Sequence, residues 1–242
     1  MPDSAPVIVT TSWDDGHPLD LKLADLLAER GLAGTFYASP RNRERPVLSP
    51  DDLRGLAERF EIGAHSLTHP DLRTLGPREL QGEVGGSRRE LGDLLGRPVE
   101  MFCYPKGRFN ARVRRAVAEA GFIGARTTRT LRLEPLRDPM RMPTTVRARD
   151  FPWHVWFAHA VRSRSAAGMA FMLGGGRGRS WAELARLLFD RVLGRGCVWH
   201  LWGHSWEIEE LGLWDELRAV LDHVAGREGV AYVPNGEALR RA

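Results

Sequence analysis

Short apolar runs rich in β-branched residues alternate with longer amphipathic segments along almost the whole chain, and this rhythm restricts the fold more than any other feature. Such alternation builds βα units, whose strands lie parallel and are covered by their own helices. The strand-like runs span 7–12, 34–38, 60–64, 99–103, 122–126, 197–202 and 229–233. Between them, 19–30, 51–59, 77–95, 111–120, 181–193 and 211–225 read as helices, several followed by a glycine (Gly31, Gly96, Gly121, Gly226) where a C-cap belongs. The pattern predicts a parallel sheet or barrel in a single α/β domain. Only the stretch from about 127 to 180 breaks the rhythm, and it reads as an irregular insertion of the kind that forms a lid or a substrate-binding wall. Its Gly174–Arg179 run lacks the GxxxxGK[ST] pattern of a phosphate-cradling loop and reads as a flexible connector.

Composition narrows the function classes. With 242 residues and 43% hydrophobic content the chain can bury a full core. No apolar run reaches the roughly 20 residues of a membrane span, and Met1 to Pro6 lacks the regions of a signal peptide, so a cytoplasmic location is expected. Cys103 and Cys197 each fall in a predicted strand, as buried apolar residues rather than a disulfide pair. The net charge of +4 is carried by arginine, with Lys22 and Lys106 the only lysines. These charges form no stripe interleaved with aromatics, so no nucleic-acid partner is expected. They concentrate once, at Arg126, Arg129, Arg132, Arg137, Arg141, Arg147 and Arg149, relieved by Glu134, Asp138 and Asp150.

Four strand ends carry chemistry. Asp14-Asp15 closes the first strand, and Gly16 and Pro18 supply the turn that lets two adjacent carboxylates take different jobs. The plain alternative is a pair of caps for the helix that follows. His65 and His69 follow the third strand; on one helical turn their imidazoles would face the same side and share one metal. Pro105-Lys106-Gly107 follows the fourth strand in a turn that aims backbone N–H groups outward, donors suited to an oxyanion. His204 lies just beyond Gly203 at the end of another strand, where it can deliver a proton, whereas His200 reads as a hydrogen-bonded interior residue. His17, His154, His159 and His223 have no partner spacing, and His159 and His223 read as structural or exposed. Parallel α/β folds collect catalytic groups at the C-terminal ends of their strands. One carboxylate with two imidazoles makes a three-ligand catalytic zinc site, which points to metal-assisted hydrolysis of an amide or ester.

In these motifs the chain resembles the polysaccharide deacetylases, carbohydrate esterase family 4 or the NodB homology family. Ser12-Trp13-Asp14-Asp15-Gly16 is similar to the family's TFDDG motif, and His65-Ser66-Leu67-Thr68-His69 to its H[ST]xxH motif. The resemblance implies a distorted (β/α) barrel of about seven parallel strands over residues 1–242. It implies Asp14 as general base, Asp15, His65 and His69 as metal ligands, His204 as general acid and the Lys106 backbone N–H as oxyanion donor. The metal implied is divalent, first zinc, with cobalt, nickel or manganese as alternatives. The family's RxPY motif is altered here: aligning Pro105 puts Cys103 where the arginine stands and Lys106 where the aromatic stands. Arg141, in Arg141-Met142-Pro143, is then expected to replace that arginine beside Asp14, and Glu207 or Asp138 to orient His204. The expected substrate is an N-acetylated sugar or a related small amide, with the arginine cluster suited to a phosphate or carboxylate on it. A cyclic amide, as in allantoinase-like relatives, and a non-catalytic carbohydrate-binding role are the rival readings. Oligomeric state is not legible.

Overall fold

The structure is a computed structural model that describes residues 7–133, 138–193 and 196–241. Its central strand is β1 (Val7–Asp15), buried along its whole length. Val7, Ile8, Val9, Thr10 and Thr11 suit the extended backbone, because branched side chains pack well on a pleated surface. On one side β1 pairs in parallel with β7 (Val198–Gly203). On the other, β8 (Val230–Tyr232) takes its first three residues and β2 (Thr35–Ala38) its last four. Beyond β2 the parallel sheet continues through β3 (Glu61–Ala64), β4 (Met101–Cys103) and β5 (Gly124–Arg126), and β6 (Val146–Arg147) lies beyond β7.

The sheet curls because one segment reaches both of its ends. Met142 N–H donates to the Ala125 carbonyl at 2.9 Å beside β5, and Thr145 N–H donates to the His200 carbonyl at 2.9 Å on β7. The product is a curled half-barrel in a single α/β domain, as expected. All seven expected strands are present, and β6 is an eighth that two residues were too few to announce.

The helices cover the sheet in chain order: α1 (Asp20–Ala28), α2 (Pro50–Arg59), α3 (Pro77–Leu95), α4 (Ala111–Glu119), α5 (Trp153–Ser163), α6 (Ala166–Gly174), α7 (Trp181–Val192), α8 (Ser205–Glu210), α9 (Trp214–Val224) and α10 (Asn235–Arg241). Gly96 ends α3 at φ 63°, the left-handed cap that its position implied. The stretch 127–180 is less irregular than its sequence suggested, since α5 and α6 occupy much of it. Helix α6 (AAGMAFMLG) is apolar on nearly every side, so it shows no 3.6-residue contrast to read. Ser165 fixes its start by accepting from Gly168 N–H at 2.9 Å and donating to the Leu131 carbonyl at 2.6 Å. Gly174, read as part of a connector, is the last residue of that helix. Glu134 and Arg137 lie outside the described residues. Among the described residues, no helix is long and apolar enough to cross a membrane.

Cys103 is buried and Cys197 is half-buried, and the two are not joined by a disulfide. The main core packs the helices against the sheet, with Phe36, Leu27 and Trp199 fully buried in it. Phe36 of β2 meets Phe60, at the end of α2 just before β3, edge-on at 5.3 Å. Phe36→Ala is expected to cost about 3–5 kcal/mol in chemical denaturation, as large core truncations do. Leu173→Ala, at a position 68% exposed, should stay within about 0.5 kcal/mol of the parent.

Candidate active site

The C-terminal ends of β1, β3, β4 and β7 open into one cleft of about 1190 Å³, lined by Asp14, Asp15, His65, His69, Lys106 and His204 among others. Asp14 and Asp15 are both 3% exposed. They do not cap α1, whose N-cap is Leu19 with no side-chain hydrogen bond. Asp15 has φ 86°, so the chain turns at the last strand residue and splits the two carboxylates. Ser66 (φ 64°), His69 (φ 62°) and Lys106 (φ 57°) are strained in the same way, and non-glycine residues hold such angles only where their surroundings enforce them.

The two histidines lie on a bend rather than a helical turn, which corrects the expected local geometry. His65 N–H continues the β2–β3 ladder to the Ala38 carbonyl, and His69 N–H donates to Ser66 Oγ at 3.1 Å. Glu83 of α3 secures the bend by accepting from the Leu67 and Thr68 N–H groups at 3.0 and 2.9 Å. The rings still come together, with centroids 4.9 Å apart. His65 Nδ1 bonds the Cys103 carbonyl at 2.8 Å and His69 Nδ1 bonds Glu44 at 2.9 Å, so both Nε2 atoms face Asp15 Oδ1, at 3.8 and 3.5 Å. Burial holds His65 well below the ordinary histidine value, with the Asp14 charge working the other way, and keeps the ring neutral as a ligand must be.

Asp15 Oδ1 is buried with no hydrogen-bond partner, while Oδ2 accepts from Trp206 Nε1 at 2.8 Å. An orphaned carboxylate oxygen with two imidazole nitrogens, all within 4.8 Å of one another, fits a divalent cation by both geometry and donor chemistry. Sequence reasoning missed Glu44 and Trp206, which orient two of the three donors. They come from loop and helix positions that carry no motif.

Asp14 has a different partner from the one expected. Arg126, not Arg141, donates to Asp14 Oδ1, and it does so while fully buried. Cys103 and Arg126 are paired neighbours on β4 and β5, so a guanidinium from either position reaches the same spot, and the small thiol leaves it room. The arginine missing from the altered motif is therefore supplied one strand away. Its guanidinium also lies 4.6 Å over the Trp202 ring. Burial alone would push the Asp14 carboxyl up. The charges of Arg126, His65 and His204 outweigh it and hold Asp14 at about 2. A lone arginine at the tip of an apolar strand was the available signal, hidden among six others. Arg141 lines the cleft and forms no ion pair with Asp14.

His204 Nε2 stands 4.0 Å from both Asp14 Oδ2 and Asp15 Oδ2. Its Nδ1 faces Glu207 Oε2 at 3.4 Å, and Arg147 (2.8 Å) and Arg149 (2.5 Å) clamp that carboxylate. Burial disfavours the Glu207 charge, but the His204 hydrogen bond and Arg147 bring it to about 2. Asp138, the other candidate for this role, instead caps a short turn through Met140 N–H at 3.0 Å. The turn at Pro105–Gly107 is closed by Gly107 and Arg108 N–H groups, and no hydrogen bond among the described residues uses the Lys106 N–H. His200 is an interior residue, bonded to Ser12 at 2.8 Å and to the Pro143 carbonyl at 3.1 Å. Burial and the Arg126 charge push it down to about 3.

The family model described as polysaccharide deacetylase matches residues 2–125. The chain belongs to the polysaccharide deacetylase family. Chitin deacetylase 1 of Cryptococcus neoformans is 33% identical over 113 residues, which is 46% of this chain and 23% of that protein. The chain spans less than half the length of the curated relatives it matches. A Mycobacterium smegmatis structure provisionally named a polysaccharide deacetylase has the same fold at TM-score 0.70 and 17% identity, over 99% of this chain and 91% of that one. The family 4 carbohydrate esterase of Streptomyces lividans does so at 0.57 and 17%, over 94% and 92%. The family match stops one residue before Arg126, so this deacetylase-family chain takes the partner of Asp14 from beyond it.

Arg126→Met would leave a buried carboxylate unpaired. It is expected to cost about 3–5 kcal/mol in denaturant titration. With the guanidinium gone burial dominates, so Asp14 should titrate above about 2, read from its side-chain ¹³C shift. Arg141→Met should leave that titration in place; equal effects of the two variants would remove Arg126 from this role.

Proposed function

We propose that this protein is a metal-dependent N-deacetylase acting on an N-acetylated amino sugar. The observation that carries the reading is the convergence of Asp14, Asp15, His65, His69 and His204 around one orphaned carboxylate oxygen, in a chain of this family. Asp15, His65 and His69 would hold a divalent metal, zinc by the nature of the donors. When bound, such an ion polarises a carbonyl and acidifies water. Asp14, ionised at neutral pH, takes a proton from the attacking water. The Lys106 N–H donates to the oxygen on which negative charge develops at the acetyl carbon. His204 returns a proton to the departing amine, with Glu207 on its far nitrogen holding the ring in the tautomer that this transfer needs. The deacetylase relatives favour an acetamide over the cyclic amide, and the intact catalytic set speaks against a binding-only role.

Two measurements separate metal binding from chemistry. His69→Ala is expected to lose stoichiometric zinc in elemental analysis. Asp14→Asn and His204→Ala should keep it while losing about 10²- to 10⁴-fold in turnover, the usual contribution of one acid or base. Acetate release from N-acetylglucosamine oligomers, with allantoin as the cyclic-amide control, reads the reaction. Full metal and full activity in His69→Ala would defeat the ligand assignment, and hydrolysis of allantoin alone would defeat the substrate class.

A further inference from the structure

The cleft is strongly and unevenly positive. Ten arginine and lysine side chains line it against four carboxylates, and each of those carboxylates is already engaged. Asp14 holds Arg126, Asp15 accepts from Trp206, Glu44 joins Lys106 to His69, and Glu207 is clamped by Arg147 and Arg149. Carboxylates outside the lining account for four more cations. Arg45 pairs with Glu210 at 2.7 Å, Arg73 and Arg108 pair with Asp71 at 2.7 and 3.2 Å, and Arg114 pairs with Asp138 at 3.4 Å.

Arg129, Arg141 and Arg162 are left. Among the described residues no carboxylate lies within ion-pair distance of any of them. Arg141 Nε is buried with no hydrogen-bond partner, which is costly for a guanidinium unless a ligand completes it. Burial and the neighbouring charges of Arg141, Arg164 and Arg132 all press Arg129 down from its ordinary value, with Asp138 opposing them. Like charges lining one cleft with no counterion among the described residues need a reason, and an anion from outside is the simplest chemistry that supplies one. All three residues follow the family match, in the stretch that includes α5, so they belong to the part of the chain where relatives of one reaction can differ in substrate.

We propose that Arg129, Arg141 and Arg162 form an anion subsite that recognises a phosphate or carboxylate carried by the N-acetylated substrate. The inference rests on the deacetylase reading and refines its substrate class. Of the arginine cluster visible in the sequence it retains Arg129 and Arg141: Arg126 pairs with Asp14, Arg147 and Arg149 clamp Glu207, Arg132 donates to the Ser163 carbonyl at 2.8 Å, and Arg137 lies outside the described residues.

The test is calorimetric binding to the zinc-loaded full chain of three probes: N-acetylglucosamine, N-acetylglucosamine 1-phosphate and N-acetylmuramic acid. The wild type should bind at least one anionic probe about tenfold or more tightly than the neutral sugar, the effect of a single charge-assisted hydrogen bond. The better anionic probe identifies the recognised group as phosphate or carboxylate. The advantage should vanish in the Arg129→Gln/Arg141→Gln double variant, survive in part in the corresponding double lysine variant, persist in Arg73→Gln and shrink with added salt. Wild-type protein that binds all three probes alike, or none measurably, overturns the subsite. So does an advantage that survives the double glutamine variant while circular dichroism shows it folded. Acetate release is scored separately: arginine-dependent anion binding without release from any sugar removes the deacetylase reading and leaves the subsite standing, and release without it does the reverse.

Discussion

The buried ion pair between Asp14 and Arg126 ties the site to the sheet. It joins the last turn of the central strand to a strand four places away, beneath the floor of the cleft. A carboxylate at that depth stays ionised only with a fixed opposite charge beside it. The guanidinium in turn is held against Trp202 and Tyr37, so aromatic faces from β7 and β2 support the charge that supports the base. Removing either charged member of the pair leaves an uncompensated charge in the core, a larger penalty than a lost surface contact.

Around this pair the site is organised in two halves. The Asp15 half is arranged to receive a cation: burial keeps His65 neutral, the outer nitrogens of both histidines are committed to Cys103 and Glu44, and one oxygen has no hydrogen-bond partner among the described residues. The His204 half is arranged to handle a proton, with a carboxylate clamped by two arginines on the ring's far side. Asp14 stands between them. Backbone strain at Asp15, His69 and Lys106 falls on both sides of the cleft, which is where a scaffold stores it when geometry matters more than local comfort.

Much of this was legible residue by residue. The period-two and 3.6-residue patterns located seven strands and the principal helices, because burial on a sheet or under a helix imposes those periods directly. The motifs at the strand ends located six of the groups that face the cleft. What escaped has a physical reason in each case. Helix α6 is apolar all round and β6 has two residues, so neither carries a period. Glu44 and Trp206 lie in segments whose sequence reports only local structure. The surplus arginines looked alike in the sequence and took three different roles in the fold.

By itself the sequence determined the parallel α/β class, the strand ends that face the cleft and the kinds of side chain gathered there, since all of these follow from local pattern and the direction of each strand. Only the tertiary structure decided that Arg126 rather than Arg141 stands beside Asp14, that Glu207 rather than Asp138 backs His204, and that Arg129, Arg141 and Arg162 have no counterion among the described residues. The first two are choices between candidates of the same charge. They are made by which strand lies next to which, here the pairing of Cys103 with Arg126 across β4 and β5, and that neighbour relation is a property of the curled sheet and not of any stretch of chain.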